Sequence, residues 1–301
     1  MSIRLSLALA LALVAPATLV ACGSDSATTD TTDVAVTTIN VRGTVEPLSQ
    51  LLTAIYTLAF ENTGARVGRK DPAPDRATAY QALESGSTQL MVDSSTELLA
   101  LLHAAAGTTP DPTKRTADEQ TAALNGLLPD SLTVNAPTLA ETTPTVACTT
   151  DAANANSLTT ISDLAAAGDA VKLGAPAAAD LATLGAAYAT TFTAITVEEA
   201  DAATAIADGK VDCVLVSAVA TVIPTAGLLP LTDDKKAYPT DAVVPVLAVS
   251  VSTGVILPVL TQVNAGLTTE VLRALLVKAE AGGGTYDVVA RQFIESLAKG
   301  G

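Results

Sequence analysis

The sequence has few of the side chains on which catalytic and nucleic-acid-binding sites depend. Its 301 residues include one His, no Trp, three Phe and five Tyr, and 16 Lys and Arg stand against 31 Asp and Glu, for a net charge of −15. Proteins bind nucleic acids mainly by neutralising phosphates with Lys and Arg, so this acidic balance argues against a nucleic-acid partner. So few aromatic side chains also disfavour stacking on bases or on large ring cofactors.

The residues of a catalytic site are missing as well. The single histidine, His103, lies in the apolar stretch LLHAAAG, and the sequence has no GxSxG, Walker or HExxH pattern. Glu198 and Glu199 are adjacent in sequence, and adjacent residues on a helix point in different directions, so we interpret them as a solvated face. With one His and no CxxC, a zinc site is also not expected. The sequence therefore predicts no enzyme, no cofactor and no metal.

Apolar residues, by contrast, are abundant at 49% of the chain. This content excludes an intrinsically disordered protein, because disorder requires low hydrophobicity. At about 100–200 residues per domain, the length indicates two domains or one large one.

The N-terminal segment is typical of an exported lipoprotein. Arg4 is followed by an apolar run, and Leu-Val-Ala-Cys ends at Cys22. This ending resembles the bacterial lipobox, in which the cysteine is lipidated. We predict a signal peptide over residues 1–21, a lipid on Cys22 and a flexible polar tether over residues 22–33. The protein is then anchored to the outer face of the cell membrane; the alternative is an ordinary signal peptide with a chance cysteine.

Cys148 and Cys213 are the only other cysteines. Two thiols in an exported protein suggest a disulfide, and each cysteine lies in a strand-like segment. The alternative is two buried free thiols, because sequence alone does not show whether the two residues are close enough to bond.

Strand-like and helix-like segments alternate along the rest of the chain and predict an α/β fold with mostly parallel sheets. The predicted strands are residues 34–41, 90–92, 171–174 and 211–216. The predicted helices lie within residues 49–64, 76–84, 98–106, 197–208, 268–280 and 285–299. The apolar run 242–251 contains Pro245, which predicts an edge strand or a crossing segment rather than a central strand.

Polar residues follow three of the predicted strands. Ligands of open α/β sheets bind at the carboxyl ends of strands and at helix N-termini, so these residues are the candidate ligand-binding residues. They are Thr44, Glu46, Asp93, Ser94, Ser95, Thr96 and Ser217. For residues 93–96 the alternative is that they only cap the following helix.

Five segments carry a resemblance to a known family: Ala82–Leu102 (ALESGSTQLMVDSSTELLALL), Thr159–Pro176, Val211–Val219, Leu228–Leu247 and Leu267–Ile294. Taken in this order, they resemble the substrate-binding proteins of ABC importers for osmoprotectants such as glycine betaine, choline and related quaternary amines. The resemblance implies a two-lobed type II periplasmic-binding-protein fold with a hinge of two crossing segments. Lobe I then comprises residues 34–127 and 239–301, and lobe II residues 128–238.

The resemblance also implies a function: a lipid-anchored receptor that captures a small solute between its lobes and delivers it to ABC permease subunits. The sequence departs from the family where a quaternary ammonium needs aromatic faces, because Met91, Ser94 and Pro47 occupy positions where aromatic residues are usual. Only Tyr188 and Tyr238 are candidates to lie near a cleft. A methionine, or a carboxylate such as Asp93 or Glu46, is then the alternative contact for a cation, and a weaker one.

Two hypotheses follow for the function. In the first, the protein is an importer receptor for a quaternary amine or another small polar compound. In the second, the cleft is degenerate and the surface lipoprotein binds another protein. An apolar cleft lined by Ala and Val favours the second hypothesis, and convergent polar groups favour the first.

Overall fold

The computed structural model describes residues 38–113 and 115–299. The predicted signal peptide, the tether and Cys22 lie outside the described residues. The described strands are β1 Ile39–Val41, β2 Val67–Arg69, β3 Leu90–Ser94, β4 Leu132–Val134, β5 Pro144–Cys148, β6 Leu173–Ala175, β7 Ala194–Thr196, β8 Cys213–Ser217, β9 Leu229–Pro230 and β10 Val243–Ala248.

These strands form two five-stranded mixed sheets, one in each lobe, with the orders β2-β1-β3-β10-β4 and β7-β6-β8-β5-β9. In the first sheet β1 pairs in parallel with β2 and β3, whereas β10 is antiparallel to β3 and β4. The second sheet repeats this arrangement, with β5 as its antiparallel strand. Four strands of each sheet therefore run in one direction.

Helices cover both sheets. They are α1 Pro47–Glu61, α2 Arg76–Glu84, α3 Ser95–Ala106, α4 Ala117–Leu127, α5 Thr150–Asn156, α6 Ile161–Ala167, α7 Leu181–Tyr188, α8 Ala202–Ala207, α9 Val222–Thr225, α10 Ile256–Gly266, α11 Thr269–Ala281 and α12 Tyr286–Lys299. Predicted helix 197–208 is shorter than expected, because a 3-10 turn over Glu199–Asp201 precedes α8.

Both faces of the first sheet are buried, which explains why its strands lack polar alternation. Successive side chains of a strand point to opposite faces. Leu90 and Val92 accordingly pack in the core that contains Tyr56 and other side chains of α1, whereas Met91 packs in the core formed with α2, α3 and α4. Burial on both faces is typical of the parallel parts of α/β sheets.

The prediction for Pro245 was wrong, because β10 lies between β3 and β4 rather than at an edge. Alternate residues of an antiparallel strand direct their N–H groups to opposite sides. Val243 donates its N–H to the Ala140 carbonyl at 3.0 Å, so Pro245 faces the same side. Pairing with β4 begins only at Val246. Proline has no N–H to donate, and Pro245 faces the side on which β10 is not yet paired with β4. The proline therefore costs no hydrogen bond between strands.

Two crossing segments join the lobes and contact each other. The first follows β4 and the second precedes β10, and they meet at an antiparallel bridge between Glu141 and Ala242. The Thr142 N–H donates to the Asp241 carbonyl at 2.7 Å.

Strand β4 lies in the first sheet, whereas the predicted boundary at residue 128 assigned it to lobe II. It pairs along the edge of β10 that would otherwise be exposed.

A disulfide links the two central strands of the second lobe. Cys148 of β5 lies directly opposite Cys213 of β8, and their sulfur atoms are bonded. Both residues are fully buried in the core of that lobe. The bond closes a segment that contains α5 through α8, so it constrains most of the lobe.

Within the described residues, we find no helix with the length and hydropathy needed to cross a membrane.

Candidate functional site

The cleft between the lobes consists of two adjoining chambers. The inner chamber, of about 350 Å³, lies mainly against the first lobe, beneath the ends of β1 and β3. The outer chamber, of about 460 Å³, extends between that lobe and the ends of β5, β6 and β8 in the second. Glu97, Thr142, Ser217 and Asp241 line both chambers. These volumes are in the range of small-molecule sites.

Asp241, in the second crossing segment, forms the floor of the cleft. Its carboxylate is largely buried and accepts the Ser94 hydroxyl at 2.6 and 2.8 Å, the Thr96 N–H at 2.9 Å and the Thr142 hydroxyl at 2.7 Å. The Asp241 N–H in turn donates to the Thr143 hydroxyl at 2.8 Å. One side chain thus connects the start of α3 with both crossing segments.

Arg76 is the one cationic side chain that lines the chambers within the described residues. Its guanidinium forms a two-point ion pair with Asp93, with Nε–Oδ2 at 2.6 Å and Nη2–Oδ1 at 3.1 Å, and it also contacts Glu97 at 3.2 Å. Burial raises the pKa of Asp93, although the Arg76 guanidinium acts in the opposite direction. The positive charge is therefore already matched by two carboxylates of the protein.

Glu199 supplies a carboxylate from the second lobe. It lies in the 3-10 turn before α8, and its Oε2 accepts the Ser217 N–H at 2.9 Å. Partial desolvation in the cleft raises the pKa of the Glu199 carboxyl, and the Glu280 carboxylate adds to this effect. The residue is nevertheless solvent-exposed, as the predicted solvated face requires, and it lines the outer chamber.

Tyr238 is the one aromatic side chain that lines the chambers within the part of the chain described. Its hydroxyl donates to the Asp180 carbonyl at 3.0 Å, and burial raises its pKa to about 12. Tyr188, the other candidate, is buried in the core of the second lobe and donates its hydroxyl to Asp233. The described residues of the cleft thus do not provide the set of aromatic faces expected of a quaternary-ammonium site.

The structure brings most of the predicted ligand-binding residues together at this cleft. Six of the seven line its chambers: Thr44, Glu46, Asp93, Ser94, Thr96 and Ser217. Ser95 lines neither chamber, because it is fully buried and donates its hydroxyl to Gln120 on α4. Ser94 both caps α3, by accepting the Glu97 N–H at 3.3 Å, and lines the inner chamber.

Sequence reasoning missed several polar or charged lining residues, four of them acidic. Besides Glu199, they include Arg76, Glu97, Thr142, Asp180 and Asp241. Asp180 precedes helix α7, which is also the position of a capping residue, so its local signal was ambiguous. Asp241 lies just before the apolar run that forms β10. Among the described residues, no group of three or more His, Cys, Asp or Glu side chains is placed to hold a metal ion.

The two lobes, the paired crossing segments and the polar cleft define a solute-binding protein of the type II periplasmic class. The family described as the substrate-binding domain of the ABC-type glycine betaine transport system matches residues 38–296. The chain belongs to this family, which is a family of transport proteins and not of enzymes.

Solved structures share the fold at low sequence identity. A glycine betaine/carnitine/choline ABC transporter structure is 18% identical with a TM-score of 0.74, and apo YehZ from Escherichia coli is 21% identical with a TM-score of 0.73. Each match covers 86% of this chain and 98% of the other. Lactococcal OpuAC in its closed conformation with glycine betaine is 14% identical with a TM-score of 0.54, over 87% of this chain and 96% of that one. None of the curated protein sequences matches this chain.

Proposed function

We propose that this protein is the extracytoplasmic solute-binding component of an ABC importer, which captures a small solute in the interlobe cleft and delivers it to permease subunits. The observation that carries the proposal is the convergence of polar side chains from both lobes on one cleft, with Glu97 on one wall and Glu199 on the other. A degenerate cleft that binds another protein would instead be lined by Ala and Val. Family membership supports the importer assignment.

The hinge gives this function a mechanism. A solute that contacts both walls stabilises the closed arrangement of the lobes, and the free energy of those contacts shifts the population toward it. Asp241 is well placed for this role, because it bonds Ser94 and Thr96 on the first lobe and Thr142 in the other crossing segment. A permease can then distinguish loaded from empty receptor by the closed form.

Solute binding is tested by thermal unfolding of the protein with glycine betaine, choline, carnitine and a panel of amino acids and amines. A solute present at 100 times its Kd adds about 2.7 kcal/mol to the free energy of unfolding, which is readily measured as a rise in Tm. We expect at least one small solute to raise the Tm. A flat response across the whole panel contradicts the proposed function.

Membrane attachment through Cys22 is tested separately. We expect mass spectrometry of the wild-type protein to show a mature N-terminus at Cys22 that carries a diacylglycerol, because the proposed lipid is attached to the cysteine sulfur. Cys22→Ala should lack this lipid-modified N-terminal peptide. A wild-type Cys22 without a lipid contradicts lipidation at this residue.

A further inference from the structure

The charge of the cleft is strongly unbalanced. Six carboxylates line its two chambers, contributed by Glu46, Asp93, Glu97, Asp180, Glu199 and Asp241. Against them stands the guanidinium of Arg76 alone, within the described residues, and it is held by Asp93 and Glu97. The cleft therefore favours a positively charged solute and offers no uncommitted cation to a carboxylate group on the solute.

The side chains that line the chambers indicate which kind of positively charged group the solute carries. A quaternary ammonium has no N–H to donate and is best held by several aromatic faces. Here Tyr238 is the one such side chain among the described lining residues. Carboxylates, by contrast, accept hydrogen bonds, and charge-assisted bonds to ammonium or guanidinium groups are about twice as strong as neutral ones. The lining is thus better suited to a cation with N–H donors.

We propose, on the basis of the proposed function, that the solute is a small organic cation with N–H groups at its positive centre, either a primary amine or a guanidine. Glu199 is a determinant of this specificity. The Glu199 carboxylate faces the outer chamber from the second lobe, and Glu97 lines the same chamber from the first. A solute cation bound between these walls contacts both lobes, which is the condition for closure.

Glu199 is suited to this role because its own contacts within the described structure are few. Its Oε2 accepts one backbone N–H, from Ser217, whereas an ionised carboxylate has about four acceptor sites. Glu199 is solvent-exposed, so its remaining acceptor sites are accessible from the outer chamber. An N–H cation in this chamber would donate to them.

The first experiment compares matched amines by isothermal titration calorimetry on the full-length protein. The pairs are ethanolamine with choline, and 1,4-diaminobutane with its bis-trimethylammonium analogue; agmatine and glycine betaine complete the series. We expect the N–H members to bind at least 10-fold more tightly than their methylated partners, and glycine betaine to bind more weakly than all of them. Equal or tighter binding of the quaternary members overturns the proposal.

The second experiment tests Glu199 with a matched control. Glu199→Gln removes the charge but retains an oxygen that can accept the Ser217 N–H, and we expect it to weaken binding of the tightest amine about 10-fold or more. Glu198→Gln is the control, because Glu198 similarly accepts one backbone N–H, from Ala177 at 3.0 Å, but does not line the chambers. Equal affinities of the two variants overturn the role of Glu199.

A stability measurement separates binding from a merely structural effect. Glu199 is solvent-exposed, so the free Glu199→Gln protein should unfold within about 0.5 kcal/mol of the wild type while binding more weakly. A variant that binds weakly and also unfolds early indicates a structural role and contradicts the assignment. Tight binding of glycine betaine with no binding of amines refutes the proposed solute class but leaves the importer function intact, whereas no response to any compound contradicts both.

Discussion

Asp241→Ala is expected to lower the free energy of unfolding by about 2–4 kcal/mol. The substitution removes the acceptor of the Ser94 hydroxyl, the Thr96 N–H and the Thr142 hydroxyl at the floor of the cleft. Each buried donor left without a partner costs about 1–3 kcal/mol, and hydroxyls that reorient toward water recover part of that cost. Urea-induced unfolding followed by circular dichroism measures the loss.

Two further variants make this prediction specific. Asp241→Asn keeps the shape and one acceptor oxygen, so its loss should be smaller than that of the alanine variant. Asp208→Ala removes a carboxylate from an exposed residue, and a change within about 0.5 kcal/mol is expected. If Asp241→Ala unfolds at the same urea concentration as Asp208→Ala, the hydrogen bonds at the hinge do not stabilise the fold.

Loss of the Cys148–Cys213 disulfide is expected to cost about 4 kcal/mol. The two cysteines are 65 residues apart in sequence, and the chain-entropy model gives about 4 kcal/mol for a loop of that length. Because the bond restricts mainly the unfolded chain, the double variant Cys148→Ala/Cys213→Ala should retain the native circular dichroism spectrum at low temperature. Its midpoint of urea unfolding should fall markedly below that of the oxidised wild type.

A reductant provides the control for this prediction. Dithiothreitol should lower the midpoint of the wild type toward that of the double variant, and it should leave the double variant unchanged. Replacing both buried sulfur atoms also removes packing contacts, so the reduced wild type isolates the cross-link from the packing. Equal stability of the oxidised and reduced wild type contradicts a stabilising disulfide.

Short sequence patterns predicted helices and strands correctly where local interactions set their ends. Helix α2 has the predicted bounds because the Asp75 carboxylate accepts the Thr78 N–H at its start and Gly86, with a positive φ, follows its end. The buried strand at Leu90–Ser94 and the two C-terminal helices were also expected. In each case the signal lies within a few residues, so the sequence contains it in full.

Local sequence signals were insufficient where the outcome depends on a distant partner. Pro245 indicated an edge strand by its own chemistry, yet the gap beside it is set by where β4 begins to pair. Ser95 looked equivalent to Ser94 and Thr96, but the helix turns its side chain toward Gln120. Glu199 has the same local sequence signal as Glu198, and only the second sheet places the Ser217 N–H beside it.

Composition and short-range periodicity were sufficient to predict the α/β class, the acidic character and the shortage of aromatic side chains, because they are properties of the chain alone. Six of the seven predicted binding residues also line the cleft, since polar groups that follow buried strands collect at one edge of a sheet. Tertiary structure alone decided which carboxylates share the cleft and which of them Arg76 already neutralises. Those relations join residues far apart in sequence, and they exist only when the two lobes and both crossing segments are folded together.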